Sequence, residues 1–280
     1  MPAPISVRDL SVTFRTGLGK PRVHALRDLS MEVRAGEIVS VLGPNGSGKT
    51  TLLRVLAGVQ RPTNGTALVL DHHPTDRRLV QEVGFQPDDA LPFPTLTGEE
   101  FLRYLGSLMG LVRTESKARA QHWLERMSLG DAGSRALGQY STGMQRRLAL
   151  AGAMLADPKV LLLDEPTSGL DPEGSLLVME LLGEHAQRGG AILMASHHLQ
   201  EVEQISSRVV VLADGRQVAA GTLDELLATG DLRLVVSNLD DAGLAEVEAA
   251  VGNAGGEVVE KGRDRQHLFA LFRQLREQKE

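Results

Sequence analysis

A glycine-rich segment early in the chain has the residue types and spacing of a phosphate-binding loop. It follows an apolar run ending at Leu42 and precedes a stretch of helical pattern, the context in which G-x-x-x-x-G-K-[ST] binds phosphate. Glycines let the backbone aim N–H groups at phosphate oxygens, and a helix N-terminus adds a positive dipole. We expect Lys49 to reach the β- and γ-phosphates, Thr50 to ligate Mg²⁺ and Thr51 to support the α-phosphate. The expected nucleotide-binding residues of this loop are Gly43, Pro44, Asn45, Gly46, Ser47, Gly48, Lys49, Thr50 and Thr51.

Two adjacent carboxylates follow a second apolar run. Residues 160–163 lead directly into Asp164 and Glu165. The carboxyl end of such a strand is where an open α/β sheet binds ligands. Asp164 suits a role at Mg²⁺, and Glu165 is the best candidate to orient and polarise an attacking water. Solvated acids at the start of a loop are the alternative, which the phosphate loop makes the weaker interpretation.

Composition narrows the classes of protein to which the chain can belong. It has 280 residues, a net charge of −6, 3 % aromatic residues and no cysteine. The lack of cysteine excludes disulfides, thiolate metal sites and cysteine nucleophiles, and suits a reducing cytoplasm. A negative chain without a basic block disfavours nucleic-acid binding. We find no secretory signal and no apolar run approaching the roughly 20 residues that span a bilayer, so we expect a cytosolic chain that reaches a membrane only through a partner.

The apolar pattern predicts an α/β fold with a mainly parallel sheet covered on both faces. A capping box of Thr97 and Glu100 would open the helical stretch that follows the first strands. The expected strands cover residues 5–14, 29–33, 37–42, 65–69, 160–163, 191–195 and 209–213, with a helix at 49–57 and helical pattern at 95–156.

The sequence changes character near residues 229–231, which predicts a domain boundary. We expect a main domain over residues 1–229, with a helical subdomain at about 89–156, and a small C-terminal region over 230–280. This region would be an α+β appendage with strands at 232–236 and 256–260 and helices at 242–254 and from Gln266.

Residues 140–171, YSTGMQRRLALAGAMLADPKVLLLDEPTSGLD, resemble the signature helix, Walker B strand and D-loop of ABC ATPases in the family's order. The resemblance covers roughly residues 5–225 and implies a P-loop NTPase, with a RecA-like core, an antiparallel β subdomain and a helical subdomain. It implies that Ser141 and Gly143 touch the γ-phosphate bound by an opposite subunit. Asp171 matches the D-loop, which signals across that dimer. The YSTGM form resembles the exporter branch, which pairs one cassette with a separate membrane subunit.

Further site residues follow from the same resemblance. His197 matches the switch histidine that contacts the γ-phosphate, whereas His198 is expected to start a helix without a chemical role. Phe14 matches the aromatic residue that stacks on adenine; a core position in a β-strand is an alternative of nearly equal weight. The Q-loop residue, which contacts Mg²⁺ and faces the membrane subunit, falls on Asp88, with Gln86 as the alternative.

The resemblance implies an ATPase that converts ATP to ADP and phosphate and thereby powers transport. Its expected catalytic residues are Glu165, His197 and Lys49, and its expected Mg²⁺-binding residues are Thr50, Asp164 and Asp88. The implied partners are a transmembrane permease subunit and a second nucleotide-binding subunit, in a homodimer or heterodimer at the cytoplasmic face of the cell membrane. No nucleic-acid partner is expected.

Two other classes of protein deserve comparison with this hypothesis. A soluble ABC-type ATPase acting in DNA repair or on ribosomes is disfavoured by the single cassette, the lack of sustained heptads and the negative charge. A regulatory module that binds ATP without hydrolysing it is disfavoured by the intact set of Lys49, Asp164, Glu165 and His197.

Overall fold

The computed structural model describes residues 2–15, 22–89, 91–227 and 241–255 together with Val258. The strands are β1 (Ile5–Arg15), β2 (Arg22–Val33), β3 (Ile38–Leu42), β4 (Asn64–Val69), β5 (Val83–Gln86), β6 (Val160–Asp164), β7 (Ala191–Ala195), β8 (Arg208–Ala213) and β9 (Arg216–Gly221). The α-helices are α1 (Lys49–Leu56), α2 (Gly98–Leu108), α3 (Arg113–Arg126), α4 (Thr142–Met154), α5 (Pro172–Gln187), α6 (Leu199–Ile205), α7 (Leu223–Leu227) and α8 (Asp241–Asn253). The chain divides into two compact units, Met1–Leu227 and Ala228–Glu280.

A mixed sheet in the order β5-β6-β7-β3-β8-β9 lies at the centre of the first unit. Its first five strands run parallel, and β9 pairs antiparallel with β8 at the edge. Every residue of β6 and β7 is buried, as is typical of parallel strands covered on both faces. The predicted α/β class is therefore confirmed.

The two faces of this sheet are covered by different layers. One face shares an apolar core with α1 and with a three-stranded antiparallel sheet, β2-β1-β4. The other face packs against residues of α2, α3, α4 and α5. The helix that follows the phosphate loop and the helix that follows Ser141 consequently lie on opposite faces of the sheet.

Strands β5, β9 and the first half of β2 were not predicted. Strand β5 has four residues, and one of them is Gly84, where an added Cβ would lie 2.1 Å from the carbonyl oxygen of Ala153. Glycine is needed for this close approach to α4, but it weakens the strand pattern in the sequence. Strand β9 and the start of β2 are mostly exposed, so they lack the long apolar run by which buried strands are recognised.

The stretch of helical pattern predicted at residues 95–156 contains three α-helices, α2, α3 and α4. The capping box is present: the Thr97 hydroxyl accepts a hydrogen bond from the Glu100 N–H at 3.2 Å, and the Thr97 N–H donates to the Glu100 carboxylate at 2.9 Å. Gly110, with φ of 83°, separates α2 from α3. Among the described residues, no helix combines the length and apolar character needed to cross a membrane.

In the second unit, α8 corresponds to the helix predicted at residues 242–254. The predicted strand at 232–236 and the helix from Gln266 lie outside the described residues, as does the strand at 256–260 apart from Val258.

Candidate nucleotide-binding and catalytic site

The glycine-rich loop connects β3 to α1 and is held closed by its own lysine. The ammonium group of Lys49 donates hydrogen bonds to the carbonyl oxygens of Gly43 at 2.6 Å and Pro44 at 3.2 Å. The Ser47 N–H also donates to the Pro44 carbonyl oxygen, at 3.1 Å. Lys49 is buried, so its charge is balanced by backbone dipoles that a phosphate group could replace.

Two glycines of this loop are required by close packing. An added Cβ would lie 2.2 Å from the Leu212 carbonyl oxygen at Gly43 and 2.4 Å from the Ala25 carbonyl oxygen at Gly48. Gly48 also has φ of 109°, a conformation that other residues rarely adopt. The loop is therefore fixed against β8 and β2, while Pro44, Asn45 and Gly46 at its tip are exposed.

Asp164 ends β6 directly beside this loop. Its side chain is 2 % exposed, and the Thr50 hydroxyl donates a hydrogen bond to its carboxylate. Burial raises the pKa of the Asp164 carboxyl; the Thr50 hydrogen bond lowers this pKa, the negative charges of Asp88 and Glu165 raise it, and Lys49 lowers it. Asp164 thus interacts with both Thr50 and Asp88, the two residues with which it was predicted to bind a metal ion.

Glu165 is strained and paired with His197. Its φ is 52°, and its N–H donates to the Ala195 carbonyl oxygen at 2.9 Å. The Glu165 carboxylate lies 2.8 Å from Nδ1 of His197 and accepts a hydrogen bond from the His197 N–H at 3.3 Å. A non-glycine residue in this left-handed region is often part of a functional site. The structure thus joins two residues that are more than thirty positions apart.

His198 occupies the N-cap position of α6, where sequence reasoning expected a helix start. Its ring lies 4.2 Å from that of His197, measured between centroids. The side-chain ligand atoms of Glu165, His197 and His198 all lie within 4.8 Å of one another.

The two candidates for the Q-loop residue have contrasting environments. Gln86 ends β5 and is fully buried, and within the described part of the chain neither atom of its amide has a hydrogen-bond partner. Asp88 lies on the loop after β5, with its side chain 57 % exposed. A guanidinium nitrogen of Arg146 on α4 lies 2.6 Å from the Asp88 carboxylate. The arginine was not identified from the sequence, because nothing in its local pattern indicates a partner 58 residues away.

Ser141, Gly143 and Asp171 lie at two neighbouring helix N-termini. The Ser141 hydroxyl accepts from the Met144 N–H at 3.2 Å and caps α4; the Asp171 carboxylate accepts from the Gly174 N–H at 2.9 Å and caps α5. A Cβ added at Gly143 would lie 3.4 Å from the carbonyl oxygen of Gly169. The signature and D-loop segments of one chain are therefore in contact with each other.

Phe14 lies in β1 opposite Val23 of β2, with 37 % of its surface exposed. It is thus not a core residue, which was the alternative interpretation. Thr51 lies in the first turn of α1.

The residues at the carboxyl ends of the parallel strands fit a nucleotide and a divalent cation. Of the described residues, the Ser47 hydroxyl and one carboxylate oxygen of Asp164 are buried without a hydrogen-bond partner. Unsatisfied buried polar atoms are rare unless a ligand or water completes them. The available donors are hydroxyl and carboxylate oxygens, which Mg²⁺ prefers, and backbone N–H groups at the start of a helix, which bind phosphate.

We predict that Asp164→Asn makes the protein more stable at pH 7 without nucleotide and Mg²⁺. Burial raises the pKa of this carboxyl above its unfolded value, so the folded state loses stability as pH rises through that range. An amide removes the buried charge and can still accept from Thr50. Thermal unfolding in EDTA should show a higher Tm for the variant at pH 7, with the difference shrinking toward pH 4.

Asp131→Asn is the matched control, because Asp131 is exposed and the same change of charge should have little effect there. A lower Tm for Asp164→Asn at pH 7 would contradict the assignment of a destabilising buried charge.

Residues 26–168, about half of the chain, match the family described as ABC transporter. An uncharacterized ABC transporter ATP-binding protein of Synechocystis is 39 % identical over 80 % of this chain and 64 % of the relative. The doxorubicin resistance ATP-binding protein DrrA of Mycobacterium tuberculosis is 36 % identical over 85 % of this chain and 73 % of the relative. A solved structure of an ATP-binding subunit of an ABC transporter has 27 % identity and a TM-score of 0.71, covering 89 % of this chain and 99 % of that one.

The extent of these matches differs among the relatives. This chain spans slightly less than two thirds of the Synechocystis protein and nearly three quarters of DrrA. The match to the family covers both the glycine-rich loop and the acidic end of β6. On this basis the chain belongs to the ABC transporter family and carries its ATP-binding domain.

Proposed function

We propose that this chain is the ATP-hydrolysing subunit of an ABC exporter with a separate transmembrane permease subunit. The observation that carries the proposal is the meeting of Lys49, Thr50, Asp164 and Glu165 at one edge of the parallel sheet. His197 completes this set through its contact with Glu165. These residue types, held together by buried backbone, suit phosphoryl transfer to water.

In the proposed site, residues 43–51 hold the phosphates of ATP. Lys49 exchanges its contacts with Gly43 and Pro44 for the β- and γ-phosphates, and the N–H groups at the start of α1 donate to phosphate oxygens. Thr51 supports the α-phosphate. Phe14, whose ring is partly exposed, stacks on adenine.

Thr50, Asp164 and Asp88 are the residues that would hold Mg²⁺. The ion, when bound, neutralises charge on the β- and γ-phosphate oxygens. The negative charge of Asp88 is one of the causes that raise the pKa of the Asp164 carboxyl, and a cation bound near both carboxylates would oppose this effect.

Glu165 orients the attacking water and accepts its proton. As the water oxygen bonds to the γ-phosphorus, the bond from that phosphorus to the bridging oxygen of ADP breaks, and the products are ADP and phosphate. His197, in contact with the Glu165 carboxylate, fixes the orientation of Glu165 and contacts the γ-phosphate. This contact holds the Glu165 carboxylate in one orientation, as positioning of the attacking water requires.

Ser141, Gly143 and Asp171 complete the site of a second subunit. The first turn of α4 exposes backbone N–H groups that can hold an anion, and Ser141 is exposed at its start. Two ATP molecules between two such chains would thus be bound from both sides. The second chain is a copy of this one or a close relative.

The membrane subunit has a candidate docking surface on α2. Phe93 and Tyr104 stack edge to face, with ring centroids 5.6 Å apart, and each is more than 40 % exposed. Leu108, one turn further along α2, and Val112 are more than 60 % exposed. Exposed apolar clusters of this kind mark contacts with partners.

The names of the relatives support export as the direction of transport. DrrA proteins are named for resistance to doxorubicin or daunorubicin, which is consistent with export. We place the chain at the cytoplasmic face of the cell membrane, bound through the permease. Its net charge of −6 makes a nucleic-acid partner unfavourable.

We predict that Glu165→Gln lowers ATP turnover at least about 100-fold, because the general base is lost, while ATP still binds. The nucleotide-bound dimer should accumulate and be measurable by light scattering. Glu203→Gln, an exposed change of the same type on α6, should leave turnover unchanged. Lys49→Ala should instead weaken binding itself. If the Glu165→Gln variant hydrolyses ATP at the wild-type rate, Glu165 is not the general base.

The transporter assignment is tested by co-purification from detergent-solubilised membranes, with tagged Glu165→Gln protein and ATP–Mg²⁺. We expect a multispanning protein in stoichiometric amount. Leu108→Asp should abolish its recovery, because a charge in an apolar contact is costly. Val218→Asp is the control: Val218 is 60 % exposed on β9, at the opposite edge of the sheet from β5. Recovery of ribosomes or DNA instead would support the soluble class of ABC ATPases.

The Q-loop assignment is tested with Gln86→Met and Asp88→Asn. Methionine resembles glutamine in volume and removes an unpaired buried amide, so we expect equal or higher Tm and turnover within about twofold. Asp88→Asn should lower turnover at least about tenfold, the order found for groups that support a metal site. The reverse pattern of turnover would assign the Q-loop role to Gln86.

A further inference from the structure

Arg146 links three segments of the ATP-binding domain. It lies in the second turn of α4, and only 11 % of its side chain is exposed. One guanidinium nitrogen lies 2.6 Å from the Asp88 carboxylate, and another lies 3.5 Å from the backbone carbonyl oxygen of Asp164. The arginine thus joins the signature helix to the loop after β5 and to the end of β6.

We propose that Arg146 is a positioning residue that couples the signature helix of a chain to the Mg²⁺-binding edge of the same chain, by competing with the cation for Asp88. This inference rests on the proposed function, in which Asp88 contributes to Mg²⁺ binding and Ser141 and Gly143 serve the opposite site. Arg146 has no role in the proposed Mg²⁺ site or in the proposed contacts of Ser141 and Gly143, and the inference gives it one.

The competition follows from charge and geometry. Asp88 is the acid that Arg146 neutralises, and Asp88 is also close enough to Asp164 for their charges to interact. A carboxylate oxygen held at 2.6 Å by a guanidinium group is a poor ligand until that bond is released. Binding of a cation at Asp88 and attachment of Asp88 to α4 therefore oppose each other.

Linkage makes this opposition reciprocal. If cation binding at Asp88 weakens the contact between Asp88 and Arg146 on α4, then a shift of α4 that weakens this contact must strengthen cation binding by the same factor. At the start of α4, Ser141 caps the helix and Gly143 contacts the D-loop segment. One ion pair thus connects a chain's own cation site to the segment that it offers to its partner.

Neighbouring arginines have different contacts and supply controls. Arg147, the next residue, donates to the Met127 carbonyl oxygen at 2.7 Å and so serves packing within the helical layer. Arg54 on α1 lies 3.1 Å from Asp89, the residue after Asp88. The Arg54–Asp89 pair is more exposed, with side chains 45 % and 73 % exposed, so it is a matched ion pair from the same loop.

The test is a double-mutant cycle in the Glu165→Gln background, which prevents hydrolysis. Binding of a fluorescent ATP analogue is measured as a function of Mg²⁺ for Arg146→Gln, Asp88→Asn and the double variant. We expect Arg146→Gln to lower the half-saturating Mg²⁺ concentration at least about threefold and Asp88→Asn to raise it. In the Asp88→Asn background, Arg146→Gln should lower the half-saturating Mg²⁺ concentration much less than it does in the parent protein. The difference between the two effects should again be at least about threefold.

A second readout follows ATP-driven dimer formation by light scattering at saturating Mg²⁺. Arg146→Gln should make dimer formation less steeply dependent on ATP, and Arg146→Lys, which keeps the charge, should restore part of the steepness. Arg147→Gln and the Arg54–Asp89 cycle should leave the Mg²⁺ dependence unchanged. If Arg146→Gln does not fold, Arg146→Lys takes its place in the cycle with a smaller effect of the same sign.

Additive effects in the cycle, or equal effects of Arg146→Gln and Arg147→Gln, would overturn the inference. In that case Mg²⁺-dependent nucleotide binding by the parent protein would still support the proposed function. Failure of the parent protein to bind the analogue would contradict the proposed function itself.

Discussion

The whole site depends on the register of β7 between its two parallel neighbours. Ala195 pairs with Val41 of β3 on one side and with Asp164 of β6 on the other. Its carbonyl oxygen accepts the N–H of Glu165, while the Ser196 N–H donates to Val41. A slip of one residue would turn every side chain of a strand to the opposite face. The pairing of the buried, apolar strands therefore aligns the loop, the acids and the histidine independently of contacts among their side chains.

The carboxyl ends of the parallel strands carry features that would be defects elsewhere in the protein. Asp164 is a buried acid with an unpaired oxygen, and Glu165 has a left-handed backbone. Each feature costs stability, which the apolar packing on both faces of the sheet must offset. Ligand atoms can satisfy the unpaired oxygen, so folding leaves these strand ends ready for binding at the expense of the free protein's stability.

The predictable part of the structure is the part whose signal is local. The buried strands, the glycine-rich loop and the capping box at Thr97 follow from short patterns, and all are present. Strand β5 could not be predicted, since Gly84 is required by contact with Ala153 and not by its own strand. The pairs Glu165–His197 and Asp88–Arg146 join distant segments. The resemblance assigned Glu165 and His197 to one site without predicting their contact, and nothing in the sequence indicated Arg146.

The contacts of α4 explain how a rigid domain can report on its nucleotide. At its start, Gly143 lies against Gly169, so the two segments that would face the second subunit in the proposed dimer are packed together. In its second turn, Arg146 holds Asp88 and the end of β6. The helix is otherwise anchored by apolar packing, which transmits displacement with little deformation. A change at Asp88 would thus be relieved by a shift of the whole helix, and in the proposed dimer that shift would be felt first at the surface facing the second subunit.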